Sequence, residues 1–363
     1  MNATTRLHAQ GQSLWLDNIT RGLLDSGTLA RYIDEFSVTG LTSNPTIFEQ
    51  AIGGSDAYDA AIRSAAGQGA SGEDLFFGLA IDDLRRAADL FRPVHAATKG
   101  VDGWVSLELS PLLANDTAGS IRMATELHAR AGRPNLFIKI PGTPEGIPAI
   151  EESIFAGVPI NVTLLFSTAQ YRAAAEAYVR GIERRVAAGR DPKVTSVASL
   201  FISRWDVAVK DSAPPALRNR LGIAVAMQAW RAYRELLASA RWQKLAAAGA
   251  RPQRMLWAST GTKDPAAPDT LYVDALAGPD SIDTIPEKTL LAFADHGKPG
   301  PGLPDDGGDA EAVLAEFARA GIDVDALAAR LQREGAEAFA KSWQKLLQGL
   351  AGKSERLVKA GAS

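Results

Sequence analysis

Cysteine is absent from the 363-residue chain. This excludes disulfides, thiolate metal sites and a cysteine nucleophile. Histidine is scarce as well, and its four positions lack the close spacing of metal ligands: His8, His95, His128 and His296. The sequence therefore predicts no metal site.

Long apolar runs are also absent. No stretch approaches the roughly 18 apolar residues that suffice to span a bilayer, and residues 1–11 lack the apolar core of a signal peptide. The formal net charge is only −3, without a basic cluster suited to nucleic acid or a membrane surface. We therefore expect a soluble, cytoplasmic protein that binds neither. A monomer and a homodimer both stay open.

Apolar residues make up 46% of the chain and charged residues 22%, which permits a large core. Short apolar segments alternate with longer helical patterns, and eight segments are predicted to be strands: Leu14–Asn18, Ser37–Leu41, Trp104–Leu109, Leu136–Ile140, Pro159–Leu164, Val194–Ser199, Met255–Ser259 and Ser281–Ile285. Eight strands with intervening helices favour an α/β fold, a closed (β/α)₈ TIM barrel. An open doubly wound sheet is the alternative, but no glycine-rich dinucleotide turn follows a predicted strand.

Several helices are predicted around this barrel. The segment 48–99 is too long for one connection and indicates two or three extra helices between strands two and three, including Gly72–Leu90. Ser167–Ala188 predicts a helix with Ser167 as its N-cap, and Leu217–Leu245 predicts another.

The C-terminal part, 297–363, begins with a glycine- and proline-rich stretch that predicts a loop over Gly297–Asp309. Helices are predicted after it at Ala310–Ala320 and Val324–Leu347, packed on the outside of the barrel. We expect residues 1–363 to form one domain.

Lys139 interrupts the apolar segment Asn135–Pro141. Lysine is almost never fully buried unless it is paired or used in catalysis. A desolvated amine loses its proton more readily, and a neutral amine can attack a carbonyl. Two interpretations stay open for Lys139 alone: a Schiff-base nucleophile, or a lysine at a strand end with its ammonium in solvent.

Polar residues alternate with aliphatic residues in four predicted strands, near the carboxyl ends. They are Asp17, Glu108, Lys139, Asn161 and Thr163. Alternation places them on the interior side of a barrel, and barrel enzymes carry their catalytic groups at the carboxyl ends of the strands. Five such groups favour an active site over a structural polar network.

The residue types indicate imine chemistry. An imine formed between Lys139 and a ketone would act as an electron sink when a C–C bond breaks. Asp17 would be the general base that accepts the proton of a substrate hydroxyl, and Glu108 with Thr163 would hold a proton-shuttling water. Because the imine polarises the substrate, no metal or organic cofactor is needed.

Asn44 and Arg204 follow predicted strand ends, whereas Asn161 lies within the fifth predicted strand. Asn44 and Asn161 are candidates for holding substrate hydroxyls or the carbinolamine, although Asn44 before Pro45 also suits an ordinary helix start. Arg204 follows the sixth strand and could bind a phosphate through its planar donor fork. The alternative for Arg204 is a surface arginine.

Several segments together resemble the transaldolase family, particularly its longer bacterial form. They span roughly residues 13 to 295 in the family's order: LWLDNITRGLL, VTGLTSNPTIFEQAI, VSLELSP, LFIKIPGTPEGIPAI, INVTLLFS, SVASLFISRWD, LWASTGTKDP and TLYVDALAGPDSIDTIPEKTL. The short runs NVT and SNP alone would be weak, but the joint match of all the segments is highly specific.

The resemblance implies a role for each matching position. Lys139 corresponds to the imine-forming lysine, Asp17 to the acid/base aspartate, and Glu108 with Thr163 to the pair that positions water. The substrate-binding positions that it implies are Thr42, Asn44, Asn161, Ser199 and Arg204. Ser199 and Arg204 would contact phosphate.

One position departs from the family's shorter members, which carry a second phosphate-binding arginine after the seventh strand. This chain has Lys263 in that region. Lysine supplies a point charge on a flexible stem, whereas arginine supplies a bidentate fork. Lys263 is therefore a substrate-binding candidate with a weaker geometric match.

The resemblance implies transfer of a dihydroxyacetone unit between sugar phosphates in the non-oxidative pentose phosphate pathway. The donor would be sedoheptulose 7-phosphate or fructose 6-phosphate, and the acceptor glyceraldehyde 3-phosphate or erythrose 4-phosphate. The alternative is a fructose-6-phosphate aldolase that releases free dihydroxyacetone, but those relatives carry glutamine and tyrosine where this chain has Glu108 and Phe201. A second alternative is a sugar-phosphate-binding barrel without catalytic activity. It predicts that borohydride treatment with fructose 6-phosphate traps no adduct on the chain.

Overall fold

A computed structural model describes residues 2–361 of the chain. Eight parallel strands pair in chain order and close on themselves: β1 (Ser13–Asp17), β2 (Val38–Thr42), β3 (Trp104–Glu108), β4 (Leu136–Pro141), β5 (Ile160–Leu165), β6 (Ser196–Phe201), β7 (Arg254–Ala258) and β8 (Ile282–Ile285). The predicted (β/α)₈ barrel is confirmed, with each predicted strand within two residues of an observed one. Because all strands are parallel, their carboxyl ends meet at one end of the barrel.

Helices surround the barrel: α1 (Ala3–Ala9), α2 (Arg21–Asp25), α3 (Thr28–Phe36), α4 (Pro45–Gly53), α5 (Asp59–Gly67), α6 (Gly72–Ala97), α7 (Thr117–Ala131), α8 (Gly146–Ala156), α9 (Thr168–Ala187), α10 (Ser203–Val209), α11 (Leu221–Ala238), α12 (Ala240–Ala247), α13 (Leu271–Ala275), α14 (Glu287–His296), α15 (Ala310–Arg319) and α16 (Val324–Gly361). The extra helices predicted between strands two and three are confirmed as α4, α5 and α6. None of the helices in residues 2–361 is long and apolar enough to cross a membrane.

One predicted helix is confirmed by the structure, and another is divided into two. Ser167 caps α9 as expected, since its hydroxyl accepts a hydrogen bond from the Gln170 amide at 3.1 Å. The single helix predicted over Leu217–Leu245 is wrong, because Ser239 adopts an extended backbone and separates α11 from α12. The Ser239 hydroxyl accepts from the Trp242 amide and thereby starts α12.

Two helices run longer than predicted. Helix α6 continues to Ala97 and α16 continues to Gly361. In α6, Pro93 lies inside the helix. Helix boundaries are the feature that sequence patterns locate least well.

The amino end of the barrel is closed by a buried polar network. The Trp15 indole donates to Asp102 Oδ1 at 2.8 Å, and Arg254 Nη2 donates to Ser13 Oγ at 2.7 Å. Gly40 is required beside Trp15, because a Cβ there would lie 2.7 Å from the indole ring. The large indole and this network fill the amino end, so the cavity lies at the carboxyl end.

Asp283 on β8 is a buried carboxyl with little polar support. Its Oδ1 accepts from the Thr260 hydroxyl at 2.7 Å, whereas Oδ2 has no hydrogen-bond partner among the described residues, 2–361. Burial raises the pKa of Asp283 from its ordinary value of 3.8 to about 7. The native state therefore binds this proton more tightly than the unfolded state does.

We expect this carboxyl to make the free energy of unfolding fall as pH rises from about 4 to about 7. At about 1.4 kcal/mol per pKa unit, full ionisation costs about 4 kcal/mol. The variant Asp283→Asn should lose most of this pH dependence in urea unfolding measured between pH 4 and 8. Asp211→Asn, at an exposed position, is the matched control. An unchanged slope in Asp283→Asn would contradict the prediction.

Candidate active site

Lys139 and Glu108 form a buried ion pair between neighbouring strands. They are partners in the β3–β4 register, which brings Lys139 Nζ to 2.9 Å from Glu108 Oε2. Lys139 Nζ also donates to the Ser43 carbonyl at 3.0 Å. Each side chain of the pair is only 7% exposed. The alternative of a lysine in bulk solvent is therefore wrong, and the amine faces a cavity.

Asp17 lies at the carboxyl end of β1 on the same cavity. Its Oδ1 accepts from the Thr42 hydroxyl at 2.9 Å, and Thr42 shares a second hydrogen bond of 2.7 Å with Thr284. A carboxylate can only accept, so Thr42 donates to Asp17 and receives the proton of Thr284. These two hydrogen bonds fix the orientation of the Asp17 carboxyl.

Burial raises the pKa of Asp17, while the charges of Lys139 and Lys263 and the Thr42 hydrogen bond lower it in part. Burial likewise raises the pKa of Glu108, and Lys139 lowers it in part. The Lys139 ammonium thus lowers the pKa of two buried carboxyls, Asp17 and Glu108, in part. Raised carboxyl pKa values suit groups that must both accept and return protons near neutral pH.

Asn161 and Ser199 lie beside Lys139 on the next two strands. Asn161 pairs with Lys139 in the β4–β5 register and is fully buried. Its amide nitrogen donates to Ser106 Oγ at 3.2 Å, and its oxygen accepts from Ser199 Oγ at 2.7 Å. Ser199 lines the cavity, whereas Asn161 lies behind it and holds its hydroxyl.

Thr163 reaches the cavity at the end of β5. Its buried hydroxyl oxygen has no hydrogen-bond partner within residues 2–361. The following residue, Leu164, has a left-handed backbone with φ of 58°, and the β5–β6 register shifts there. An unpartnered buried hydroxyl is costly unless it binds a water or a substrate.

The cavity has a volume of about 420 Å³. Eight of the ten residues predicted from the sequence line it: Asp17, Thr42, Asn44, Lys139, Thr163, Ser199, Arg204 and Lys263. Glu108 and Asn161 stand directly behind this lining. Asn44 also caps α4, as the alternative interpretation holds, through a hydrogen bond from the Ile47 amide to its Oδ1 at 3.0 Å.

Two cations besides Lys139 face the cavity, namely Arg204 and Lys263. Arg204 lies on α10 with its guanidinium over the Phe201 ring, 5.4 Å from the centroid. Burial lowers the pKa of Arg204, and no carboxylate within residues 2–361 offsets that burial. Lys263 is exposed and lines the same cavity. A desolvated cation without a counter-charge is well placed to bind an anion such as phosphate.

Sequence reasoning missed three contributors to the site. The Ser43 carbonyl binds Lys139, but a backbone group leaves no trace in a sequence pattern. Thr284 supports Thr42, yet its strand Ile-Asp-Thr-Ile lacks a clean alternation of polar and apolar residues. Phe339 comes from α16 and reads as an ordinary core residue.

Within residues 2–361, no group of three histidine or acidic side chains is arranged to hold a metal ion. The groups that converge on the cavity are an amine, carboxyls, hydroxyls and two cations. A buried amine that contacts one carboxyl and faces a second, at the carboxyl end of a (β/α)₈ barrel, is the arrangement of imine-forming carbonyl enzymes.

Comparison with known proteins gives the family within that class. Residues 14–350 match the model of the transaldolase/fructose-6-phosphate aldolase family, and the chain belongs to this family. A protein from Thiobacillus denitrificans named transaldolase is 46% identical over 355 residues, which cover 96% of this chain and 99% of that protein. Proteins of the same name from Parafrankia and Thermobifida fusca are each 45% identical, with coverage of 94% or more on both sides.

Lys263 helps to keep Asp17 ionised, so its removal should change the pH dependence of activity. In Lys263→Met the pKa of Asp17 should rise, because a nearby positive charge is lost. We expect the acid limb of the kcat/KM profile to move to higher pH and KM for the sugar phosphate to increase.

Lys210→Met is the matched control, since Lys210 is exposed and does not line the active-site cavity. Its profile should match that of the unmodified protein. An acid limb that stays in place or moves to lower pH in Lys263→Met would refute the electrostatic role.

Proposed function

We propose that the chain is a transaldolase that transfers a dihydroxyacetone unit through an imine on Lys139. The donor is sedoheptulose 7-phosphate or fructose 6-phosphate, and the acceptor is glyceraldehyde 3-phosphate or erythrose 4-phosphate. The observation that carries this proposal is the contact of 2.9 Å between the Lys139 amine and Glu108, with Asp17 on the same cavity. The near-full-length relatives named transaldolase support it.

Imine formation requires a neutral amine and a route for protons. Lys139 gives a proton to Glu108, whose pKa is raised by burial, and then attacks the ketone carbon of the donor. The carbinolamine loses its hydroxyl as water after protonation. A water held between Glu108 and the unpartnered hydroxyl of Thr163 carries these protons, and the same water hydrolyses the imine in reverse.

Cleavage then requires a base at the C4 hydroxyl. Asp17 accepts that proton, the C3–C4 bond breaks, and its electron pair moves into the iminium to give an enamine on Lys139. The aldose phosphate leaves with the carbonyl. An acceptor aldehyde takes its place, the enamine attacks it, and Asp17 returns the proton to the new hydroxyl.

Substrate binding uses both ends of the cavity. Arg204, Lys263 and Ser199 bind the phosphate, while Asn44 and Thr42 face the hydroxyls of the bound sugar. Asn161 takes part in orienting the substrate through its hydrogen bond with Ser199.

The remaining proposals concern the location, pathway and assembly of the protein. We propose that the protein acts in the cytoplasm, within the non-oxidative pentose phosphate pathway, as a monomer or homodimer with sugar phosphates as its partners. Residues 1–363 would form one domain, in which 297–363 packs on the barrel. The aldolase alternative is less favoured, because Glu108 and Phe201 stand where aldolase relatives carry glutamine and tyrosine.

Trapping the imine tests the nucleophile. Incubation with fructose 6-phosphate and borohydride should add one reduced dihydroxyacetone unit to Lys139, located by mass spectrometry of peptides. Lys139→Ala should form no adduct, because the amine that contacts Glu108 is lost, and Lys263, which also lines the cavity, is exposed to solvent. Lys210→Ala should be labelled like the unmodified protein. An adduct at another lysine in Lys139→Ala would remove Lys139 from the mechanism.

Asp17→Ala separates imine formation from bond cleavage. The variant keeps Lys139 and Glu108, so borohydride should still trap an adduct, now carrying the whole uncleaved ketose. Turnover should fall by about 10²- to 10⁴-fold, the usual contribution of a general base. Asp17→Asn, which keeps the shape and the acceptor for Thr42, should behave alike. Normal turnover in either variant would exclude Asp17 as the base.

A further inference from the structure

Phe339 is the contribution of the C-terminal helix α16 to the active-site cavity. Its side chain is buried, at 6% exposure, and faces a cavity otherwise lined largely by polar groups. Phe339 is far in sequence from the strands that carry the reacting groups. Its place in the wall therefore depends on how α16 is held over the barrel.

Hydrogen bonds fix α16 to the barrel on the amino-terminal side of Phe339. The side-chain amide of Gln332 donates to the Gly142 carbonyl at 2.9 Å and to the Leu164 carbonyl at 3.0 Å. These carbonyls lie just beyond Lys139 on β4 and Thr163 on β5. The helix is thus tied to the two strand ends that carry reacting groups.

Gly335 lets α16 approach closely. A Cβ at Gly335 would lie 2.9 Å from Leu164 Cδ2 and 3.9 Å from Arg204 Nη1. Glycine inside a helix costs about 1 kcal/mol relative to alanine, so a close contact is a physical reason for it here. The helix therefore lies directly against the barrel rim and the guanidinium that faces the cavity.

Contacts on the carboxyl-terminal side hold α16 against α4 and α6. The Thr46 hydroxyl, which lines the cavity, donates to Ser342 Oγ at 2.9 Å. The Trp343 indole donates to Glu73 at 3.0 Å, and Lys353 donates to the Ile52 carbonyl at 3.0 Å. The part of α16 that carries Phe339 is therefore held to the barrel from both sides.

The enamine on Lys139 can react in two ways. An inference drawn from this choice rests on the proposed function. An acceptor aldehyde can take the fragment. Alternatively, a proton from solvent adds to C3, water adds to the imine carbon, and the C–N bond breaks to release dihydroxyacetone and the free amine. No electrons are gained or lost on this second route. The balance depends on how well water is excluded.

We propose that Phe339 is a specificity-determining residue that keeps solvent water from the enamine and so favours transfer over release. Its phenyl ring is the apolar surface that α16 adds to a polar cavity. Removal of the ring would enlarge the cavity that Arg204 and Thr163 also line, and the added space would admit water to these polar groups. The same change leaves the amine and both carboxyls in place.

The test compares free dihydroxyacetone with labelled transfer product, using fructose 6-phosphate as donor and erythrose 4-phosphate as acceptor. In Phe339→Ala the ratio of release to transfer should rise several-fold, while borohydride trapping at Lys139 persists. Phe339→Leu, which keeps most of the apolar volume, should stay close to the unmodified ratio and guards against a folding defect in the alanine variant.

Leu350→Ala is the matched control on the same helix, since Leu350 is buried but does not line the cavity. It should lower thermal stability without changing the ratio. An unchanged ratio in Phe339→Ala, or an equal rise in Leu350→Ala, would overturn the role of Phe339. A failure of imine trapping in the unmodified protein would instead overturn the proposed function.

Discussion

The ion pair between Lys139 and Glu108 is the interaction on which the rest of the site depends. Taking two charges out of water is costly, and this cost is offset only by close contact and further hydrogen bonds. The register of β3 and β4 supplies the contact of 2.9 Å, and the Ser43 carbonyl supplies a third partner. The pair keeps a reactive amine buried and gives its proton a nearby acceptor.

The two ends of the barrel use buried polar groups differently. At the amino end, Arg254, Ser13, Trp15 and Asp102 bind one another, and Gly40 allows the indole to fill the space. At the carboxyl end, the hydroxyl of Thr163 has no hydrogen-bond partner in the described part of the chain, and Arg204 faces the cavity. Satisfied groups stabilise the fold, whereas unsatisfied groups at the other end are available to a substrate.

Sequence alternation located most of this site because β-strands project successive side chains to opposite faces. The alternation alone places Asp17, Glu108, Lys139 and Thr163 on one side of their strands and near one end. The same reasoning could not separate α11 from α12, because Ser239 breaks the helix through its backbone and its cap to Trp242. Nor could it find Thr284, in a strand without clear alternation.

The strands, the barrel and the chemical groups that line its carboxyl end are predictable from the amino-acid sequence. They depend on local periodicity and residue type, which are present in the chain before it folds. The folded barrel is needed to show that the Ser43 carbonyl binds the amine, that Asn161 stands behind Ser199 and that Phe339 forms part of the wall. Those contacts join segments far apart in sequence, and their distances exist only once the barrel has closed and α16 lies across its rim.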